Sequence, residues 1–241
     1  METRPHGFDA NHWNGNFHPV EYPPRPIDFS IQKLTEATQR DAAYATLKEQ
    51  LRDIPIRGGY HYFRGQWPWK QQMDVFLEAL DDHDFWALDV EKSFNYIGLP
   101  ILNKPYPGFI ESVPLALAYL TENSQLPGLL YTGAGMWMDW LKPVRAELLK
   151  YDLWVAHYWR VPNPEGNANY FTIRGAETMR KDWKFWQYDC NGMGGRGQEF
   201  GVESKGLDLN VFNGTLEDLR AWVHPEPPRR CPTCGQIWKQ T

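Results

Sequence analysis

Short apolar runs rich in β-branched and aromatic residues recur along this chain, separated by stretches whose apolar positions return at helical spacing. The runs at residues 6–10, 27–34, 56–63, 85–91, 128–132, 153–157, 183–188 and 206–210 predict strands. Helical spacing falls at 40–51, 71–81, 112–121 and 136–149. Such alternation predicts an α/β fold with a largely parallel sheet. Eight strands suggest a sheet closed on itself. Several connections are too short or too rich in Pro and Gly for a full helix. The expected architecture is therefore an irregular TIM-like (β/α) barrel with eight strands and fewer than eight helices.

Three segments read as loops: 14–26, with four prolines; 158–175, rich in Pro, Asn and Gly; and 191–205, Gly-rich and placed to cover one end of the barrel. After Trp222 the composition turns to Pro and Arg and then to Cys231-Pro232-Thr233-Cys234-Gly235. The expected division is a barrel domain over 1–222 and a Pro-rich tail with a Cys-Pro-x-Cys knuckle over 223–241. No internal repeat is visible.

Composition narrows the function. A net charge of −5 and no basic cluster larger than Arg229-Arg230 argue against nucleic acid as a partner. No apolar run approaches the length of a membrane span, so no membrane insertion is expected. The first residues carry no apolar signal segment, which implies synthesis in the cytoplasm. Cys190, Cys231 and Cys234 are too few for a disulfide framework. Twelve each of Trp, Tyr and Phe suit sugar recognition, since apolar sugar faces stack on rings with polar tips. A Trp-rich core accounts for many of them.

The chemistry-bearing signal is Asp89-Val90-Glu91, closing the fourth strand. Alternate side chains share a face of a strand, so the two carboxyls lie side by side and one holds its proton more tightly. A raised carboxyl beside an ionised one is the equipment of glycoside hydrolysis. In parallel barrels the chemistry gathers where strands finish. Asp9 ends the first strand and Asp208 lies in the last, its neighbour in a closed barrel, so these two acids are expected close together.

Several motifs in series resemble the lysozymes of glycoside hydrolase family 25, muramidases of phage endolysins, bacteria and fungi. They are Gly7-Phe8-Asp9-Ala10-Asn11-His12-Trp13, Phe29-Ser30-Ile31-Gln32-Lys33-Leu34-Thr35-Glu36-Ala37, Gly58-Gly59-Tyr60-His61-Tyr62-Phe63 and Asp89-Val90-Glu91. Leu130-Tyr131-Thr132, Leu153-Trp154-Val155-Ala156-His157-Tyr158, Trp186-Gln187-Tyr188 and Leu207-Asp208-Leu209-Asn210-Val211-Phe212 complete the series. The resemblance covers roughly residues 6–214. Asn11 stands where the family has Ser, Leu34 where it has Ala, and 14–26 lengthens the first loop. None of these departures touches the acids.

The resemblance implies cleavage of the β-1,4 bond between N-acetylmuramic acid and N-acetylglucosamine in bacterial peptidoglycan, with retention. It implies Glu91 as general acid and then base, its pKa raised by Asp89 and Asp9. Asp89 either attacks the anomeric carbon or orients the substrate's acetamide. Asp9 and Asp208 stabilise positive charge or hold those groups in place. Tyr60, Tyr62, Tyr131, Trp154, Trp186 and Tyr188 are candidate sugar-binding residues, although one face of each strand belongs to the core. Lys33 and Glu36 form either an ion pair beneath the site or a solvated pair, and His61 and His157 read as structural. No cofactor or catalytic metal is implied. The Cys231/Cys234 knuckle supplies half a zinc site at most, or a contact to a virion protein partner. The implied setting is a phage lysin acting on the cell wall. The alternatives are an inactive wall-binding barrel and a glycosidase of chitin-like polymers.

Overall fold

The computed structural model describes residues 4–92, 105–158, 183–190 and 192–225. The Cys231/Cys234 knuckle and residues 159–175 of the second loop lie outside them. Eight strands close a barrel in the order β1 (His6–Ala10), β2 (Phe29–Glu36), β4 (Ile56–Tyr62), β5 (Phe85–Asp89), β6 (Gly128–Gly133), β7 (Asp152–Ala156), β8 (Trp183–Asp189) and β9 (Asp208–Phe212). The two-residue β3 (Gln39–Arg40) folds back on the end of β2. Helices α1 (Tyr44–Gln50), α2 (Trp69–Ala79), α3 (Phe109–Asn123), α4 (Ala134–Asp139), α5 (Arg145–Leu148) and α6 (Leu216–Val223) accompany them. The irregular barrel expected from the sequence is the observed architecture.

One strand departs from the parallel sheet. β9 runs antiparallel to both β8 and β1. The segment between β8 and β9 therefore lies at the barrel end where the other strands finish, and Asp208 reaches that end by starting its strand rather than closing it. The same segment pairs with the lengthened first loop: the Phe17 and Val202 backbones bridge, and Glu203 N donates to Asn16 O at 3.1 Å.

Two predicted helices differ at their ends. The helix expected over 136–149 is split into α4 and α5, because Pro143 lacks a donor and disfavours helical geometry at Lys142. The pattern at 40–51 yields a helix only from Tyr44, since Arg40 pairs with Thr35 in the sheet. Helix α6 was not expected. Thr215 and Asp218 cap it reciprocally, with Asp218 N donating to Thr215 Oγ1 at 3.1 Å and Thr215 N to Asp218 Oδ2 at 2.8 Å. Its Leu219, Trp222 and Val223 close the floor of the barrel against Phe85, Phe185 and Phe212.

The barrel interior grades from apolar to polar. Phe29, Ile31, Ile56, Phe85, Ala87, Leu129, Phe185 and Phe212 fill its lower part. Each large side chain there contributes roughly 1.5–3 kcal/mol by leaving water. Gly58 makes room for this packing, since a Cβ on it would sit 2.2 Å from the Phe85 ring. Above them come Tyr60, Tyr131 and Trp154, and then the acids. A second core, including Trp86, Trp137 and Phe76, lies between sheet and helices.

Candidate active site

Four acids meet at the upper end of the barrel. Asp9 and Asp208 are direct partners across β1 and β9, Asp89 closes β5, and Glu91 lies two residues beyond it. The strand stops at Asp89, short of the predicted Glu91. Backbone pairing nonetheless continues from Val90 N to Tyr131 O at 3.0 Å. All four acids line one cleft of about 760 Å³, within the size range of small-ligand sites.

Buried amides hold the acids in place. Asp9 Oδ2 accepts from Gln187 Nε2 at 2.7 Å and from Asn210 Nδ2 at 2.8 Å. Asn210 is itself oriented by Trp154 Nε1, which donates to its Oδ1 at 2.8 Å. Gln187 Oε1 accepts from the hydroxyls of Tyr131 at 2.8 Å and Tyr158 at 2.6 Å. Gln187 and Asn210 lie within the family-like motifs, which by themselves assign them no role. The available signal was a polar residue at an inward position of an otherwise apolar strand.

Burial pushes the carboxyls up. Asp9 is raised to about 7 by desolvation and the charge of Glu91, against hydrogen bonds from Asn210, Gln187 and Asp208. Asp208 rises to about 9 through desolvation, then the charges of Asp9, Glu91 and Asp189. Asp89 is raised well above the usual range by burial and then by Glu91, with Lys33 opposing. Glu91 is also raised, as the sequence led us to expect, but burial is the cause rather than Asp89 and Asp9. Hydrogen bonding with the Tyr131 hydroxyl and the charges of Lys33 and Arg64 pull it back. One oxygen, Asp89 Oδ1, is buried without a hydrogen-bond partner among the described residues.

The cations reach the site through a bulge. The β2–β4 register slips between Lys33 and Thr35, which reverses the alternation along β2. Lys33 and Glu36, three residues apart, therefore both face the cleft and pair. Arg64 Nε adds a bond to Glu36 Oε1 at 2.7 Å. The Tyr62 ring packs against both cations, 5.1 Å from Lys33 Nζ and 4.3 Å from the Arg64 guanidinium. Thr35 turns outward with His61, their side chains 2.6 Å apart. Burial lowers His61 to about 3 and keeps it neutral, which suits the structural role read for it.

Of the candidate sugar-binding residues, Tyr60, Tyr62, Tyr131 and Trp154 line the cleft. Trp186 and Tyr188 do not. They occupy the other face of β8 in the outer core, where Trp186 Nε1 donates to His157 O at 2.8 Å. Alternation along β8 gives the inward place to Gln187 instead. Among the described residues, only Asp81, Asp82 and His83 are grouped as metal ligands would be. Lys48 pairs with both of those acids and Arg57 with Asp82, so protein cations already balance them.

The raised acids make stability pH-dependent. Asp208 is protonated in the folded state up to about pH 9, but ionises near 3.8 when unfolded. Between those values the folded form binds more protons, so stability falls as pH rises. Asp208→Asn removes this penalty. Its Tm advantage over wild type is expected to be larger near pH 8 than near pH 5, growing by about 2–4 °C for each 1 kcal/mol of penalty that accumulates between them. A Tm difference that is the same at both pH values would contradict the assignment.

The sequence model of the family described as glycosyl hydrolases family 25 matches residues 8–194. The Escherichia coli (strain K12) protein YegX is 30% identical over 203 residues, which is 82% of this chain. The chain spans 63% of the length of that relative. The structure superposes on a bacterial lysozyme from Streptomyces coelicolor with a TM-score of 0.68 and 23% identity, covering 92% of this chain and 97% of that one. A family 25 glycosyl hydrolase from Bacillus anthracis gives a TM-score of 0.65 at 19% identity, covering 90% and 93%. With the four-acid cleft seated at the mouth of a barrel of this shape, the chain belongs to glycosyl hydrolase family 25.

Proposed function

We propose that this chain is a muramidase, hydrolysing the β-1,4 bond between N-acetylmuramic acid and N-acetylglucosamine in bacterial peptidoglycan with retention of configuration. The observation that carries this reading is the convergence of Glu91, Asp89, Asp9 and Asp208 in one cleft. Glu91, its proton held by burial, protonates the glycosidic oxygen as the bond to the N-acetylmuramic acid anomeric carbon breaks. The acetamide oxygen of that sugar attacks the anomeric carbon, and Asp89 Oδ1 accepts the acetamide N–H. Glu91, now a carboxylate, takes a proton from water as the water opens the cyclic intermediate. The two inversions give net retention. Asp9, paired with Asp208 and anchored by Gln187 and Asn210, places negative charge beside the developing cation.

The setting we propose is the bacterial wall, in lysis or wall penetration by a phage; this part rests on the motif resemblance alone. Purified peptidoglycan and chitin oligomers, offered separately to the protein, test the substrate. Soluble products from peptidoglycan alone are expected. Faster release from chitin oligomers would replace this reading with that of a chitin-type glycosidase.

A further inference from the structure

The cleft extends beyond the acids, over the loops that follow β1, β2 and β4, and two indole side chains stand at this arm. Trp13 is 65% exposed and Trp67 48% exposed, and both line the same cavity as the acids. Large exposed rings beside a cleft point to a binding role more than to folding. What sets these two apart is how firmly their backbones are held.

The turn carrying Trp13 is locked by a reciprocal cap between Asn11 and Asn14, and Trp13 N donates to Asn11 Oδ1 at 2.9 Å. Its ring packs at 4.4 Å on His12. His12 is tied twice to the buried Asp41: its backbone N–H donates to Oδ1 at 3.1 Å, and its Nδ1 lies 2.7 Å from Oδ2. Trp67 is held by the fully buried Gln72. The amide of Gln72 donates to Arg64 O at 2.9 Å and to Trp67 O at 3.0 Å, while its oxygen accepts from Arg64 N at 2.9 Å. Gln72 is fixed in turn by His61, with Nε2 3.1 Å from its oxygen. Each loop is thus ordered before any ligand arrives, which removes an ordering cost from binding.

The same loops line the cavity with Thr38, Gln39 and Gln66, neutral hydrogen-bonding side chains suited to hydroxyl and acetamide groups, alongside the charged Arg40 and Arg64. Rings that stack on apolar faces, beside amides that read polar edges, fit a linear amino-sugar polymer.

We propose that Trp13 and Trp67 form a glycan-binding platform distal to the four acids, which grips a β-1,4-linked amino-sugar strand extending past the scissile bond. The assignment rests on the muramidase reading for the identity of the strand, but its test needs no turnover. Binding of long, peptide-free peptidoglycan glycan strands is measured in a Glu91→Gln background, with Trp13→Ala or Trp67→Ala added. Each added substitution is expected to weaken binding about tenfold, and Trp→Phe at the same position to recover most of it. Tyr22→Ala, 85% exposed and outside the cleft, is expected to bind as the background does. Disaccharide units seated at the acids are expected to bind equally to all of these proteins. Unchanged affinity of both Ala variants for long strands would overturn the platform, as would an equal loss for disaccharides. Failure of the wild type to release reducing ends, with tryptophan-dependent binding intact, would instead remove the catalytic reading and leave the platform.

Discussion

Glu91→Gln is expected to lower turnover on peptidoglycan by about a thousandfold or more, within the range for loss of a general acid–base, while leaving wall binding in place. Glu91 is the acid best suited to donate a proton. It lies beyond the end of β5 and faces the cleft. Burial raises its pKa, while Tyr131, Lys33 and Arg64 restrain the rise. Glutamine keeps the shape and hydrogen-bonding capacity but has no proton to give. The loss should fall on kcat rather than KM, because the proton moves only in the transition state. The raised pKa also fixes the sign of the pH response in the wild type. Activity is expected to decline on the alkaline side as Glu91 loses its proton. Equal kcat for Glu91→Gln and wild type would remove Glu91 from the mechanism.

Asp89→Asn is expected to cost about a hundredfold or more in kcat, the scale on which a single group stabilising developing charge acts. The buried Oδ1, without a hydrogen-bond partner among the described residues, is the reason. A polar atom left unsatisfied in the interior costs stability, and a substrate N–H satisfies it only when the sugar is bound. Asparagine turns an N–H toward the acetamide in one orientation and loses the carboxyl's proton in the other, so it does not orient the acetamide as well. The substrate-assisted route makes a further distinction. Peptidoglycan stripped of its N-acetyl groups is expected to resist the wild-type enzyme. Cleavage of that substrate at an unchanged rate would transfer the nucleophile's role from the acetamide to Asp89 itself.

Much of this site was legible because strands obey a strict alternation. Asp9, Asp89 and Asp208 were found from their places on strands, and the neighbouring of β1 and β9 followed from closure. The same rule, applied to β8, assigns Gln187 to the cleft and Trp186 to the outer core. Choosing the aromatics there followed composition rather than geometry. Other features were hidden for physical reasons. The bulge at Leu34 brings Lys33 and Glu36 to one face, and nothing in the local residues announces a slipped register. The reversal of β9 depends on a segment with no long helix between β8 and β9. Its Gly-rich composition suggested a cover for the barrel end without revealing the strand's direction. Helix α6 did carry a signal, the Thr215–Asp218 cap ahead of Leu219 and Val223, which the adjoining Pro-rich tail obscured. Trp13 stands at the end of the first family-like motif without a role of its own, and Trp67 is one of many aromatics. Only their exposure beside the cleft and the buried networks beneath them set them apart.

The most direct measurement is the identity of the reducing-end sugar, read by mass spectrometry after borohydride reduction, among products released from purified peptidoglycan by wild type and by Glu91→Gln. New N-acetylmuramic acid reducing ends from the wild type alone are the predicted result. New N-acetylglucosamine ends, or no new ends from the wild type, would contradict the muramidase assignment.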